Sequence, residues 1–129
     1  MTYDFRGNLT PYTVIEMDFD NFQKHFVEAF PDSTTRLFIF GEYQRYLSTF
    51  RELVTEDFLQ WIDGSFVSQK QNPRDIDIVT WIDYEVYQSK KELISKHFIG
   101  NAISFNFKVD NYILQNYPEN HDEYAYSIA

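Results

Sequence analysis

The stretch Trp61-Ile62-Asp63-Gly64-Ser65-Phe66-Val67-Ser68-Gln69-Lys70-Gln71-Asn72-Pro73-Arg74-Asp75-Ile76-Asp77-Ile78-Val79-Thr80-Trp81 sets two short apolar runs on either side of a polar connection. FLQWID, residues 58–63, reads as a first strand that runs into Gly64-Ser65, and DIDIVTWI, residues 75–82, reads as a second, rich in Ile and Val. Residues 66–74 are polar and end in Asn72-Pro73-Arg74, a turn signal. Asp75 and Asp77 stand two apart at the start of the second strand, so both side chains project from one face. Like charges that close raise each other's pKa unless a positive charge lies between them. A divalent cation with hard oxygen ligands is the usual resolution, and a strand holds two such ligands at a fixed spacing. A glycine at the end of the first strand lets the chain turn sharply and brings backbone N–H groups close to an anion. The Ser65 hydroxyl adds a donor, and Lys70 and Arg74 lie on the connection within reach of the same anion.

Outward from this stretch the periodicity changes. N-terminal to it, residues 1–17 contain Gly7, Asn8 and Pro11 and read as an extended arm with a turn. Asp18 is placed to cap a helix with Phe19, Phe22, Phe26 and Phe30 at helical spacing, ended by Pro31. A second helix begins near Asp32-Ser33-Thr34, with Leu37, Phe40, Tyr43, Leu47, Phe50 and Val54 as its apolar stripe, while Arg36, Glu42, Arg45 and Arg51 fall off it. C-terminal to the central stretch, Asp83 is placed to cap a third helix, from about Tyr84 to Phe98, with Tyr87, Ile94 and Phe98 inward. ISFNFKVDNYIL, residues 103–114, alternates as a third strand, with Ile103, Phe105, Phe107 and Val109 on one face and Ser104, Asn106, Lys108 and Asp110 on the other. The fold class is therefore α+β, a small mixed sheet packed against helices, in one domain over residues 1–129. If the third strand lies beside the second, Asp110 approaches Asp75 and Asp77 and completes a set of three acids able to hold two metal ions.

Composition narrows the function classes. The chain carries a formal net charge of −9, which disfavours a general nucleic-acid binder, although metal-mediated handling of phosphates remains compatible with it. There are no cysteines, so disulfides and thiolate metal sites are excluded, and a reducing cytoplasm is a compatible location. The first residues contain no basic segment followed by an apolar one, so no signal peptide is expected. No apolar run approaches the roughly 18 residues of a membrane span. The glycine-rich phosphate loops and a Ser-His-Asp arrangement are also absent. His25 and His97 read as surface or boundary residues on helices, and His121 lies among Asn and Asp in the tail.

Gly64-Ser65, nine intervening residues and Asp75-x-Asp77 resemble the signature of the nucleotidyltransferase superfamily, the polymerase-beta-like fold. More closely, DGSFVSQKQNPRDIDIV resembles a bacterial family of uncharacterised minimal nucleotidyltransferase-like proteins, whose N-terminal Phe and Gly-x-Leu-x-Pro turn is matched by Phe5 and by Gly7-Asn8-Leu9-Thr10-Pro11. The resemblance implies a nucleotidyltransferase-like fold, with Gly64 and Ser65 at the triphosphate of an NTP such as ATP, Asp75 and Asp77 on magnesium, and Asp110 as the third acid. The implied reaction moves an NMP from the NTP to an acceptor hydroxyl on a protein, an RNA or a small molecule. Small transferases of this kind often sit in toxin–antitoxin or phage-defence pairs. The acceptor-bearing helical domain of larger members has no counterpart in these 129 residues, which leaves a protein partner or a second copy to close the site. The alternative is a catalytically inactive module of the same fold that binds nucleotide or a protein partner.

Overall fold

In a computed structural model the structure describes residues 1–10, 15–99 and 108–117. The central strand β4 (Ile76–Asp83) pairs on one side with β3 (Leu59–Asp63), antiparallel, and on the other with β5 (Val109–Asn116), parallel. The sheet is therefore mixed, in the order β3-β4-β5. An antiparallel neighbour needs only a short loop, whereas the parallel one needs a crossover, and α3 (Tyr84–His97) lies between β4 and β5 in sequence. β1 (Thr2–Tyr3) and β2 (Leu9–Thr10) form a separate antiparallel hairpin, with Gly7 at φ 83° in its connection. α1 (Phe19–Gln23) continues into a π-helical turn over Lys24–Glu28, and α2 (Arg36–Leu53) is the longest helix.

Two faces of the sheet have opposite character. Ile76, Ile78, Thr80 and Ile82 of β4 point inward with Val109 and Asn111 of β5, and all six are buried. They meet an aromatic core supplied mainly by α1, α2 and the end of α3. Within it Phe22 stacks on Phe66 with ring centroids 5.9 Å apart, and Phe98 meets Phe50 edge-on at 5.4 Å. Offset and edge-on pairs of this kind satisfy the ring quadrupoles while filling volume.

The strand and helix expectations hold in kind, with shifted ends. β3 begins at Leu59, β4 at Ile76 and β5 at Val109, while Ile103, Phe105, Phe107, Ser104 and Asn106 lie outside the described residues. The first helix does not run uninterrupted to Pro31: its α-helical part stops at Gln23 and the π turn stops at Glu28. Asp18 does cap it, accepting a hydrogen bond from the Asn21 backbone N–H at 2.8 Å. Phe19, expected in the buried stripe, is exposed at the rim, its ring 5.1 Å from that of Phe40. Ile94 and Phe98 are buried as expected and Tyr87 is half-buried, while Asp83 stands at the N-cap of the third helix without a side-chain capping hydrogen bond.

The largest correction concerns α2. Leu37 is 71% exposed and Arg36 only 1%, so the inward stripe at this end of the helix starts from the arginine. The Arg36 guanidinium donates four hydrogen bonds to backbone carbonyls, to Phe26 and Phe66 at 2.7 and 2.6 Å and to Ser68 and Lys70 at 2.9 and 2.6 Å. Its Cζ lies 3.7 Å from the centroid of the Phe30 ring. A planar guanidinium can serve several carbonyls at once where an ammonium cannot, and the aromatic face offsets part of its desolvation. Burial lowers the pKa of Arg36.

Arg36 thus ties the loop after β3 to the helical layer. That loop is clamped twice more. The Asn72 side-chain carbonyl accepts from the Thr34 backbone N–H at 2.8 Å, and the Gln69 N–H donates to the Gly7 carbonyl at 2.8 Å. Replacing Arg36 with Ala leaves buried carbonyls without donors, and Arg36→Ala is expected to lower the unfolding free energy by about 3 kcal/mol or more. Urea denaturation checks this, and a loss below about 1 kcal/mol would place the loop's anchorage elsewhere.

Candidate functional site

The outer face of the sheet carries the acids. Antiparallel register sets Asp63 opposite Asp77, and parallel register sets Asp77 opposite Asp110, so one row across the three strands is entirely acidic. Asp75 precedes β4 by one residue and turns to the same side as Asp77. Asp75, Asp77 and Asp110 each offer a carboxylate oxygen, and these oxygens lie within 4.8 Å of one another. All three side chains are half-buried. Asp63 is exposed and is not one of this group, although it faces Asp77 across the strand pair.

The glycine of Gly64-Ser65 is required by this geometry. Gly64 has φ 78°, a left-handed conformation that disfavours side chains, and it opens a 3-10 turn over Gly64–Val67. A Cβ at this position would lie 2.1 Å from the Asp77 Oδ2. The backbone of residue 64 therefore packs directly on the carboxylate, and any side chain there displaces it. Ser65 follows, half-buried, with its carbonyl accepting from the Ser68 N–H at 3.2 Å and the Ser68 hydroxyl at 2.7 Å. Its own hydroxyl makes no hydrogen bond among the described residues.

The structure thus brings Gly64, Asp75, Asp77 and Asp110 together and sets Ser65 next to them. Lys70 and Arg74 are exposed and form no ion pair with the three acids among the described residues. Lys70 instead lines a shallow cavity between the loop and the tip of the N-terminal hairpin, where Arg6 is a second cation. Sequence reading passed over Arg6, because only the Gly7–Gln69 contact reveals that the arm folds back on this loop. His25 is exposed and His97 half-buried, while His121 lies outside the described residues.

Asp110 is held through its neighbour. Asn111 points inward, its side-chain N–H group donating to the Tyr46 hydroxyl and, at 3.2 Å, to the Phe98 carbonyl. Its carbonyl accepts from the Thr80 hydroxyl at 3.0 Å. Thr80 in turn accepts from Gln60 at 3.0 Å, and Gln60 accepts from the Tyr43 hydroxyl at 2.6 Å. This buried chain crosses all three strands and fixes β5 against β4, a role that a lone asparagine in an alternating strand does not announce in the sequence.

Electrostatically the site is unfavourable by itself. Burial pushes the Asp77 carboxyl above its ordinary range, and Asp75, Asp110 and Asp63 push it further. Burial and then Asp75 raise Asp110. Hard oxygen donors this close, with raised proton affinities, are a donor set that suits a divalent cation.

The fold and site define an α+β domain with a three-carboxylate centre on the open face of a small mixed sheet. The chain belongs to a family described only as a family of unknown function, DUF6932, whose model matches residues 1–128. No curated protein and no solved structure matches it.

The raised pKa of Asp77 has a defined consequence for the metal-free protein. Below the ordinary carboxylate range both folded and unfolded chains hold the proton, and there is no cost. As pH rises the unfolded chain ionises first, so a destabilisation enters above about pH 4 and is complete once Asp77 has ionised in the folded state. Asp77→Asn is therefore expected to raise the melting temperature at pH 7 in chelator, with the gain disappearing toward pH 3. A variant that melts lower than wild type across the whole range would mean that the carboxylate stabilises the fold.

Proposed function

We propose that this protein is a metal-dependent nucleotidyltransferase that moves a nucleoside monophosphate from an NTP to an acceptor hydroxyl. The observation that carries this reading is the convergence of Asp75, Asp77 and Asp110 to within 4.8 Å beside Gly64. The topology supports it. Gly-Ser follows β3, the paired aspartates open the antiparallel neighbour β4, and a helical crossover leads to a parallel β5 that carries the third acid. Gly-Ser, paired aspartates and a third acid on a later strand are the parts which the resemblance to the nucleotidyltransferase superfamily implies.

Asp75, Asp77 and Asp110 would hold magnesium, as one ion or two. When bound, the metal supplies charge neutralisation at the phosphates and lowers the pKa of an attacking hydroxyl. The Ser65 hydroxyl and the backbone N–H groups of the turn donate to the triphosphate oxygens. The acceptor oxygen forms a bond to the α-phosphorus as the bond from that phosphorus to the bridging oxygen breaks, and pyrophosphate leaves. Asp110 would help the bound metal lower the pKa of the acceptor hydroxyl, whose proton passes to solvent. Positioning of these groups on stiff strands provides most of the catalysis. The acceptor is a protein side chain, an RNA end or a small molecule, and the net charge of −9 disfavours RNA. A toxin–antitoxin or phage-defence setting would make it a protein.

A second reading keeps the site and removes turnover, leaving a module that binds nucleotide or a protein partner. The exposed aromatic side chains of Tyr112 and Trp61 on the outer face of the sheet favour it. Incubation with each α-labelled NTP, magnesium and candidate acceptors separates the two readings. Transfer of label by wild type, with loss of at least about 100-fold in Asp75→Ala/Asp77→Ala, is the expected result. Nucleotide binding with no transfer to any acceptor supports the module instead.

A further inference from the structure

Beyond the acid row, the outer face of the sheet turns apolar. The next row across the strands is Trp61, Val79 and Tyr112, and the one after it is Leu59, Trp81 and Leu114. Four of these six are exposed, Tyr112 by 62% and Leu59 by 58%, with Leu114 and Trp61 less so. The inner face of the same sheet is covered by the aromatic core, so this outer face is the one left open among the described elements. Scattered exposed apolar residues need no explanation, but a contiguous block of them beside a cluster of acids does.

The block has a definite shape. Side chains stand roughly perpendicular to a sheet, and adjacent strands lie about 4.8 Å apart. Trp61 and Tyr112, on the outer two strands, therefore rise as two rings on either side of the shorter Val79. Trp61 is braced by an edge-on contact with Trp81, their centroids 5.7 Å apart. The aromatic row is two residues along each strand from the acids, about 7 Å away. That is the scale of the ribose linking an α-phosphate to a nucleobase. Trp81, on the same face and buried, also has an indole N–H with no hydrogen-bond partner among the described residues. Nucleobases carry the ring nitrogens and carbonyl oxygens that such a donor lacks.

We propose that the Trp61–Val79–Tyr112 row binds the nucleoside part of an NTP whose phosphates lie at the acid row. The proposal rests on the nucleotidyltransferase reading and assigns its substrate contacts: the base stacks on an aromatic ring, with the Leu59–Trp81–Leu114 row as an apolar wall beyond it. Stacking accepts any base because every base has a π face, so this ledge favours nucleotides over inorganic phosphates and discriminates weakly among the four bases. Charge argues against a second copy of this chain as the occupant. The apolar rows are bounded by Asp63, Asp77 and Asp110 at one end and by Asp83 at the other, so face-to-face pairing sets carboxylates against carboxylates.

Intrinsic tryptophan fluorescence of the full chain, in magnesium, tests this with two ligands, ATP and inorganic tripolyphosphate. ATP is expected to alter the emission and to bind at least about tenfold more tightly than tripolyphosphate. Tyr112→Ala and Trp61→Ala should each weaken ATP by about tenfold while leaving tripolyphosphate unchanged, with Trp81 reporting in the second variant. Equal affinity for the two ligands, or variants that bind ATP as wild type does, would overturn the ledge while leaving the phosphate and metal site intact. Failure of both ligands to bind would remove the nucleotidyltransferase reading and the ledge with it. A change in molecular mass by light scattering on substitution of Trp61 or Tyr112, without a change in ATP affinity, would assign the face to self-association and overturn the proposal.

Discussion

Three carboxylates held within 4.8 Å repel one another, and most of this fold can be understood as the frame that keeps them there. Two come from one strand end and the third from its parallel neighbour, so the spacing is set by backbone register and not by flexible loops. Parallel pairing of β4 and β5 is the constraint that matters most. A slip of one residue would turn Asp110 to the inner face and bring Asn111 outward, because side chains alternate along a strand. The buried chain of hydrogen bonds through Asn111, Thr80, Gln60, Tyr43 and Tyr46 opposes that slip, since it would strand several polar groups in an aromatic core.

The other side of the centre depends on a buried arginine. Among the described residues Arg36 meets no carboxylate; its partners are the carbonyls of residues 26, 66, 68 and 70 and the faces of aromatic rings. It fixes the path of the chain just after Gly64-Ser65 and so holds that turn against Asp77. The acid cluster and the turn are thereby mounted on separate parts of the fold, one on the sheet and one on the helical layer. A site assembled this way can keep anion donors and cation ligands adjacent without letting them collapse onto each other.

Much of this was legible in the sequence, because the relevant patterns are local. The strand–turn–strand grammar around Gly64-Ser65 and the two-residue spacing of Asp75 and Asp77 give the hairpin and one face of acids directly. Alternation from Val109 onward places Asp110 outward. What the sequence hid was long-range. Arg36 looked like a solvated charge because helical periodicity ranks residues by polarity, and nothing local reveals four carbonyls waiting across the core. Counting from Leu37 shifted the α2 stripe by one position at its start. The role of Asn111 and the return of the hairpin onto Gln69 likewise depend on partners far away in the chain. The apolar outer face was hidden for another reason: alternation from Asp110 sets Tyr112 and Leu114 on its side of the strand, but only the topology shows that the described helices cover the opposite side.

Whether the three converging acids hold a divalent cation is tested most directly by calorimetric titration of the metal-free protein with Mn2+ at neutral pH. Saturable binding by wild type, weakened by about tenfold or more in Asp77→Asn and in Asp110→Asn taken singly, is the predicted result. Absence of binding in wild type, or an affinity indifferent to substitution at positions 75, 77 and 110, would contradict it.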